Sequence, residues 1–456
     1  MSKAMSMDLA INNGLLIDPK AGLQGRLSVG IRGGKVVCLS ASPLEAEQVI
    51  DAQGRVVAPG FIDIHMHEDR LMEDGSISID ISRRMLLQGV TTMVGGNCGL
   101  AAARAGAYLR AVDKQGLPAN YACFSGYKVL REHLGVFDTT KRLHADEIRA
   151  VSDLLLEGLD RGSLGLSVGL EYTTNVPVDE LLVYARLLAE SGRMMAVHYR
   201  YDADRSLEAI AEMIFVSEAT GVKLQISHIG SCSAYGTMKP SLDKIHSARA
   251  RGVDVMADCY PYDAFCTYIG SAVFDPGCFE RWGKSYSDLL VTEGKYRGQR
   301  CDKRIFAELR EHYPSTMVVA FTMREEEVST ALADPYVMVA SDGLYNAGQG
   351  HPRGAGTFPR FLGRYVRDRR IMDLMTGLSK ITSMPAKRLG LQDRGTLLPG
   401  AWADVVVFDP DTIIDRATFE CPTDPPEGID YVVVNGKIAA VGQEIVCDTA
   451  GRALRP

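Results

Sequence analysis

The chain has 456 residues, more than one ordinary core needs, which predicts a large domain with a smaller one beside it. Its 46% hydrophobic and 23% charged residues are usual for a globular protein, and a formal net charge of -7 without any block of Lys or Arg argues against nucleic acid or an anionic membrane as partner. No run approaches the roughly 18 apolar residues of a membrane span, and Met1–Asn12 lacks the basic-then-apolar order of a secretory signal. The ten cysteines are scattered without CxxC pairs, which predicts free thiols in a reducing compartment, the cytoplasm.

In chain order, Leu9–Gly14, Leu27–Arg32 and Gly33–Cys38 read as short strands, with Asn13-Gly14 and Gly33-Gly34 as hairpin turns. The other end has the same texture at Asp404–Phe408 and Tyr431–Lys437. Neither end can bury a sheet face alone, so residues 1–57 and 391–456 together predict one small β-sandwich. Between them, apolar runs recur at Val57–Asp63, Thr91–Val94, Asn120–Phe124, Leu164–Val168, Met194–Val197, Lys223–Ile226, Val253–Ala257 and Val337–Ala340. Amphipathic segments such as Asp179–Glu190, Ser206–Thr220 and Lys239–Arg251 separate several of them. Strands alternating with helices over residues 58–390 predict an α/β fold, a (β/α)8 TIM-like barrel. A ninth run, Thr316–Phe321, is assigned to an insertion over residues 265–335, long enough to serve as a lid.

Catalytic side chains of such a barrel belong at the C-terminal ends of its strands. His65 and His67 close the first run as His-Met-His, with both imidazoles on one face by strand alternation. Cys98 follows the second run inside Gly95–Gly99, His198 closes the fifth, His228 the sixth, and Asp342 follows the eighth. Any one of these histidines alone is better read as an ordinary surface or core residue, and His133, His144, His246 and His312 are read that way. Four histidines, a cysteine and an aspartate at separate strand ends point instead to a metal centre, His65, His67, Cys98, His198 and His228 being its ligands. Imidazole and thiolate suit zinc. Asp342 is cast as general base and acid, taking a proton from a metal-activated water and passing it to a leaving nitrogen.

These motifs resemble a known family. Val57–His67, Gly395–Gly400 and Ala403–Asp409 look like the two ends of an amidohydrolase-superfamily barrel. Gly95–Gly99, Gly162–Tyr172, Ile226–Ile229, Asp258–Tyr262 and Ser341–Gly343 followed by His351–Arg360 resemble the N-acyl-D-amino acid deacylases, or D-aminoacylases, within it. The resemblance implies a tight zinc on Cys98, His198 and His228, and a second, weaker metal position on His65 and His67 with Cys98 bridging. It implies Asp342 as catalytic acid/base, a small N-acyl-D-amino acid as substrate, and Arg353, helped by Tyr260, as the holder of its carboxylate. A guanidinium suits that task by offering two parallel hydrogen bonds. Two positions depart from the family pattern: Gly230 replaces a lysine, and Cys266 replaces a serine at the substrate, a weaker donor there. Arg200, Tyr199 and Lys128 are the candidates to substitute. The runner-up chemistry is a cyclic-amide hydrolase of the hydantoinase or dihydroorotase kind, which would need a carboxylated Lys128 bridging two metals. A scaffold without catalysis is disfavoured, because every ligand position and Asp342 are filled.

Overall fold

The structure is a computed structural model and describes residues 6–455. Residues 1–5, where the stretch read for a signal and the first terminal segment begin, lie outside the described residues.

The terminal segments build two sheets. One has four strands, with Leu9–Asn12 between Ser28–Arg32 and Gln48–Asp51, and Lys35–Ser40 at its edge. The other has seven and mixes the two ends of the chain: Val56–Pro59 lies between Leu15–Asp18 and Val405–Phe408, which pairs with Ile429–Val434. Leu9, Ile11, Val29 and Ile31 from the first sheet share one apolar cluster with Leu16, Val57, Val405 and Val407 from the second. Gly33-Gly34 is a hairpin turn as expected. Asn13-Gly14 is not. It carries the chain from one sheet to the other, with Asn13 left-handed (φ 66°) and Gly14 so tight against Val57 that a Cβ there would lie 2.4 Å from its Cγ2.

The run Val57–Asp63 is also two strands rather than one. Val56–Pro59 belongs to the terminal sheet, and Phe61–Asp63 opens a parallel set with Val90–Gly95 and Asn120–Cys123. Gly60 makes the switch, since a Cβ there would sit 2.1 Å from Thr91 Oγ1. A second parallel set runs in order through Ser125–Gly126, Gly165–Gly169, Met194–His198, Lys223–Ile226, Val255–Cys259 and Val337–Val339. Helices Val178–Glu190, Ser206–Thr220 and Met238–Ala250 fill the connections, as βαβ units require. The two sets adjoin twice. Only Phe124 separates Cys123 from Ser125, and a parallel bridge pairs Met66 with Gly343 just beyond the first and last strands. Ile62, Val94, Ala122, Leu164, Ala196 and Met338, from both sets, share one buried cluster.

After Cys259 the chain leaves this pattern. Phe265–Tyr268, Leu289–Val291 and Met317–Ala320 form a three-stranded antiparallel sheet, so the ninth apolar run lies outside the parallel sets. No helix among the described residues is long and apolar enough to cross a membrane.

A buried ion pair ties the C-terminal segment to the parallel strands. Arg394 and Asp404 are 2% and 4% exposed and hydrogen-bonded to each other. Asn435 accepts from Arg394 (2.9 Å) and donates to Asn120 Oδ1 (2.7 Å) and Ala450 O (2.8 Å). Removing one member strands the other charge, so Arg394→Met is expected to destabilise the fold by about 3–5 kcal/mol in denaturant unfolding. A loss under about 1 kcal/mol would show that the pair does not hold the segment.

Candidate metal centre

The residues at the strand ends converge. Cys98 (φ 55°), His228 (φ 32°) and Asp342 (φ 48°) all sit in the left-handed region, which non-glycine residues rarely adopt. The backbone around Cys98 is held by its glycines. At Gly95 a Cβ would lie 2.3 Å from Tyr121 Oη, and at Gly96 (φ +70°) 2.3 Å from Phe124 O. Gly96 N donates to Glu68 Oε2 at 2.7 Å. Asp342 N donates to His65 O (2.7 Å) and His67 N to Gly343 O (2.9 Å), so the first and last strand ends are fixed to each other.

Two ligand sets share one sulfur. His65, His67, Cys98 and Asp342 form one group, and Cys98, His198 and His228 another; within each, the ligating atoms lie within 4.8 Å of one another and all the residues are buried or nearly so. Cys98 Sγ is 3.3 Å from both His65 Nε2 and His228 Nε2. The far nitrogens are engaged: His65 Nδ1 with Asp258 Oδ1 (3.1 Å) and His228 Nδ1 with Ser231 Oγ (2.8 Å), which turns both Nε2 atoms toward the sulfur. Asp258 also accepts from His228 N (2.8 Å) and Gln225 Nε2 (2.8 Å), so one carboxylate orients the His65 ring and fixes the backbone that carries His228. His198 Nε2 meets Glu171 Oε2 at 2.8 Å, while its buried Nδ1 has no hydrogen-bond partner among the described residues. A group of Glu171, His198 and Cys232 is also close enough to hold a cation. Softness of the donors, burial and convergence all fit a zinc ion.

The charges compensate internally. Burial alone would push the Cys98 thiol up, but the imidazoles of His65 and His228 outweigh it and hold the thiol well below its usual range. Burial opposes ionisation of Asp342 as well, and Arg353, His65 and His67 overcome it to keep the carboxyl ionised. Despite the same burial, bonding to Asp342 and to Cys98 raises His67 to about 9. Cys98 and Glu171 raise His198 to about 10 against its burial.

The remaining predicted residues fall on or beside a cavity that adjoins this cluster. Arg353 Nη2 donates to Asp342 Oδ2 (3.0 Å) and to the Cys266 backbone carbonyl (3.3 Å), and its guanidinium lies 4.6 Å from the centre of the Tyr260 ring. The Cys266 contact to Arg353 thus comes from the backbone. His351, which burial keeps neutral, accepts from Arg353 N at 3.0 Å and donates to Ala264 O at 3.0 Å, fixing the start of helix Arg353–Arg360. The three substitute candidates have other partners. Tyr199 bonds Ser233 (2.7 Å), Arg200 is spanned by Glu212 (3.0 Å), and Lys128 bonds Glu132 (2.5 Å) outside the metal-binding groups. His133, His144, His246 and His312 stand apart from the cluster, as read.

Sequence reading missed Asp258, Glu171 and Ser231. Asp258 ends the seventh apolar run and Glu171 follows the fourth, so the strand-end rule that found the other ligands would have found both.

Residues 48–106 and 320–440 match the Amidohydrolase family. The chain is 35% identical to the N-acyl-D-glutamate deacylase of Alcaligenes xylosoxydans xylosoxydans, over 98% of this chain and 96% of that one. It is 32% identical to the D-aminoacylase of the same organism, over 99% and 98%. Among solved structures, the N-acyl-D-glutamate deacylase of Bordetella bronchiseptica, complexed with zinc and a phosphonate mimic of the tetrahedral intermediate, superposes with a TM-score of 0.87. It is 32% identical, with 99% of this chain and 100% of that one covered.

Proposed function

We infer that this chain, which belongs to the D-aminoacylase family of amidohydrolases, is a zinc-dependent deacylase that hydrolyses an N-acyl-D-amino acid to a carboxylate and the free D-amino acid. One observation carries the reading: two ligand sets share Cys98 beside a cavity that holds both an ionised carboxylate, Asp342, and a buried guanidinium, Arg353. The relatives' zinc and N-acyl-D-amino acid substrates support it.

In this reading Cys98, His198 and His228 hold the tight zinc, and His65 and His67 with Cys98 form the weaker position. When bound, zinc polarises the acyl carbonyl and makes a water acidic enough to be deprotonated by a carboxylate. The protein's own groups do the rest. Asp342, kept ionised by Arg353 and His67, takes the proton from the attacking water and returns it to the leaving nitrogen as the C–N bond breaks. Arg353, whose buried Nε and Nη1 have no hydrogen-bond partner among the described residues, offers its guanidinium to the substrate carboxylate. Tyr260 supports the guanidinium from below, and Cys266 lines the same wall.

The two parallel sets form one closed (β/α)8 barrel in this reading, supported by the Met66–Gly343 bridge and the cluster common to both sets. With the boundary moved from 57 to Gly60, where the terminal sheet ends, residues 60–390 are that barrel, residues 265–335 its lid, and residues 6–59 with 391–455 its companion β-sandwich. Ten free thiols support a cytoplasmic setting.

The test is a hydrolysis screen of the zinc protein on N-acetyl and N-formyl derivatives of D- and L-amino acids, with hydantoins included. Turnover of D-derivatives supports the reading; turnover of hydantoins alone would replace it with the cyclic-amide reaction. On a substrate so found, Arg353→Lys is expected to lower kcat/KM by about 10- to 100-fold, mainly through KM, because an ammonium cannot offer the paired donors. An unchanged KM would remove Arg353 from carboxylate binding.

A further inference from the structure

The cavity beside the metal centre has an uneven charge balance. Among the described residues Arg353 is the one Lys or Arg side chain lining it, a single guanidinium for a single carboxylate. Two acids besides Asp342 line the wall. Asp202 is spent, because its oxygens accept from Arg281 Nε (2.5 Å) and Trp282 Nε1 (2.6 Å). Glu171 is paired on one side only: its residue is 8% exposed, Oε2 meets His198 at 2.8 Å, and no hydrogen bond to Oε1 exists among the described residues.

Glu171 also stands at a junction. A second, larger recess shares Glu171 and Asp202 with the first cavity. The arginines of that recess are already matched: Arg200 with Glu212, Arg205 with Glu208 and Arg281 with Asp202. Nor does Gly230, where the family pattern has a lysine, supply a cation. A Cβ there would lie 2.9 Å from Cys259 Sγ and 3.0 Å from Met323 Cε, so a side chain at this position would require those two to shift. Among the described residues lining the cavity, a substrate anchored by one carboxylate on Arg353 therefore finds no second Lys or Arg for an acidic side chain. It finds a buried carboxylate instead.

We propose that Glu171 reads the amino-acid side chain, admitting a basic one of the lysine, ornithine or arginine type and rejecting a carboxylate. The substrate class is then an N-acyl-D-amino acid with a cationic side chain, unlike the N-acyl-D-glutamate named for two relatives. This rests on the deacylase reading above. Like charges brought together in a desolvated site disfavour the wrong partner strongly, while opposite charges select the right one.

The experiment compares kcat/KM of the zinc-loaded protein on N-acetyl-D-lysine, N-acetyl-D-arginine, N-acetyl-D-leucine and N-acetyl-D-glutamate, with zinc per chain measured. The wild type is expected to favour a basic substrate over leucine by about tenfold or more, and leucine over glutamate. Glu171→Gln is expected to shrink the basic-over-leucine ratio about tenfold at unchanged zinc content, and Glu171→Asp, which keeps the charge, to retain most of it. A wild type that prefers glutamate, shows no side-chain preference, or keeps its ratio in Glu171→Gln overturns the proposal while the deacylase reading stands. Loss of zinc from Glu171→Gln would assign the carboxylate to the metal and also overturn it. No turnover of any D-derivative by the wild type would remove the deacylase reading and this inference together.

Discussion

Asp342→Asn is expected to keep its tight zinc and lose turnover by about 10²- to 10⁴-fold, the usual worth of a positioned proton-transfer group. The amide matches the carboxylate in shape, so the turn at Ser341–Gly343 and its bond from Asp342 N to His65 O should survive. What disappears is the proton acceptor. Both carboxylate oxygens are already aimed, one 3.1 Å from His67 Nε2 and the other 3.0 Å from Arg353 Nη2. That geometry keeps the group ionised until a water delivers a proton to it. The set Cys98, His198 and His228 does not include position 342, so metal analysis should still find about one zinc per chain, whereas the set with His65 and His67 loses a member. Activity within about tenfold of wild type would remove Asp342 from the proton path.

The second large effect is on the metal itself. Cys98 belongs to both ligand sets, so Cys98→Ala removes a donor from each. A tetrahedral zinc with three protein ligands would be left with two imidazoles, and His65 and His228 would lose the thiolate that faces them at 3.3 Å. Zinc content after dialysis against a weak chelator should fall well below one per chain, with activity falling in parallel. A full zinc complement in this variant would take Cys98 out of the site and leave the two sets unconnected.

How far the sequence discloses this depends on whether a feature is local. Strand positions and the helices Ser206–Thr220 and Met238–Ala250 follow from apolar periodicity, which neighbouring residues impose on one another. Ligand positions follow from one rule about strand ends. What escapes is non-local. Nothing near Asn13-Gly14 tells that the two strands it joins enter different sheets, and nothing in Val57–Asp63 announces that Gly60 divides it between a terminal sheet and a parallel one. Asp258 and Glu171 lie where the strand-end rule points, but which imidazole each one meets, His65 for the first and His198 for the second, is fixed only by the fold. The substrate wall is the hardest part. At Gly230 the sequence shows only a missing side chain, whereas the structure shows Cys259 and Met323 packed against the space it would use.

Cys98, His228 and Asp342 share their left-handed backbone, a conformation that costs a side-chain-bearing residue roughly 1–2 kcal/mol and glycine nothing. A lineage freed from holding a metal would gain stability by drifting to glycine at these positions, so mutation alone pulls each of them away from chemistry. The three turns therefore serve as an internal gauge of selection. In any descendant of this chain, glycine at all three would mark a fold that has kept its architecture and retired its reaction.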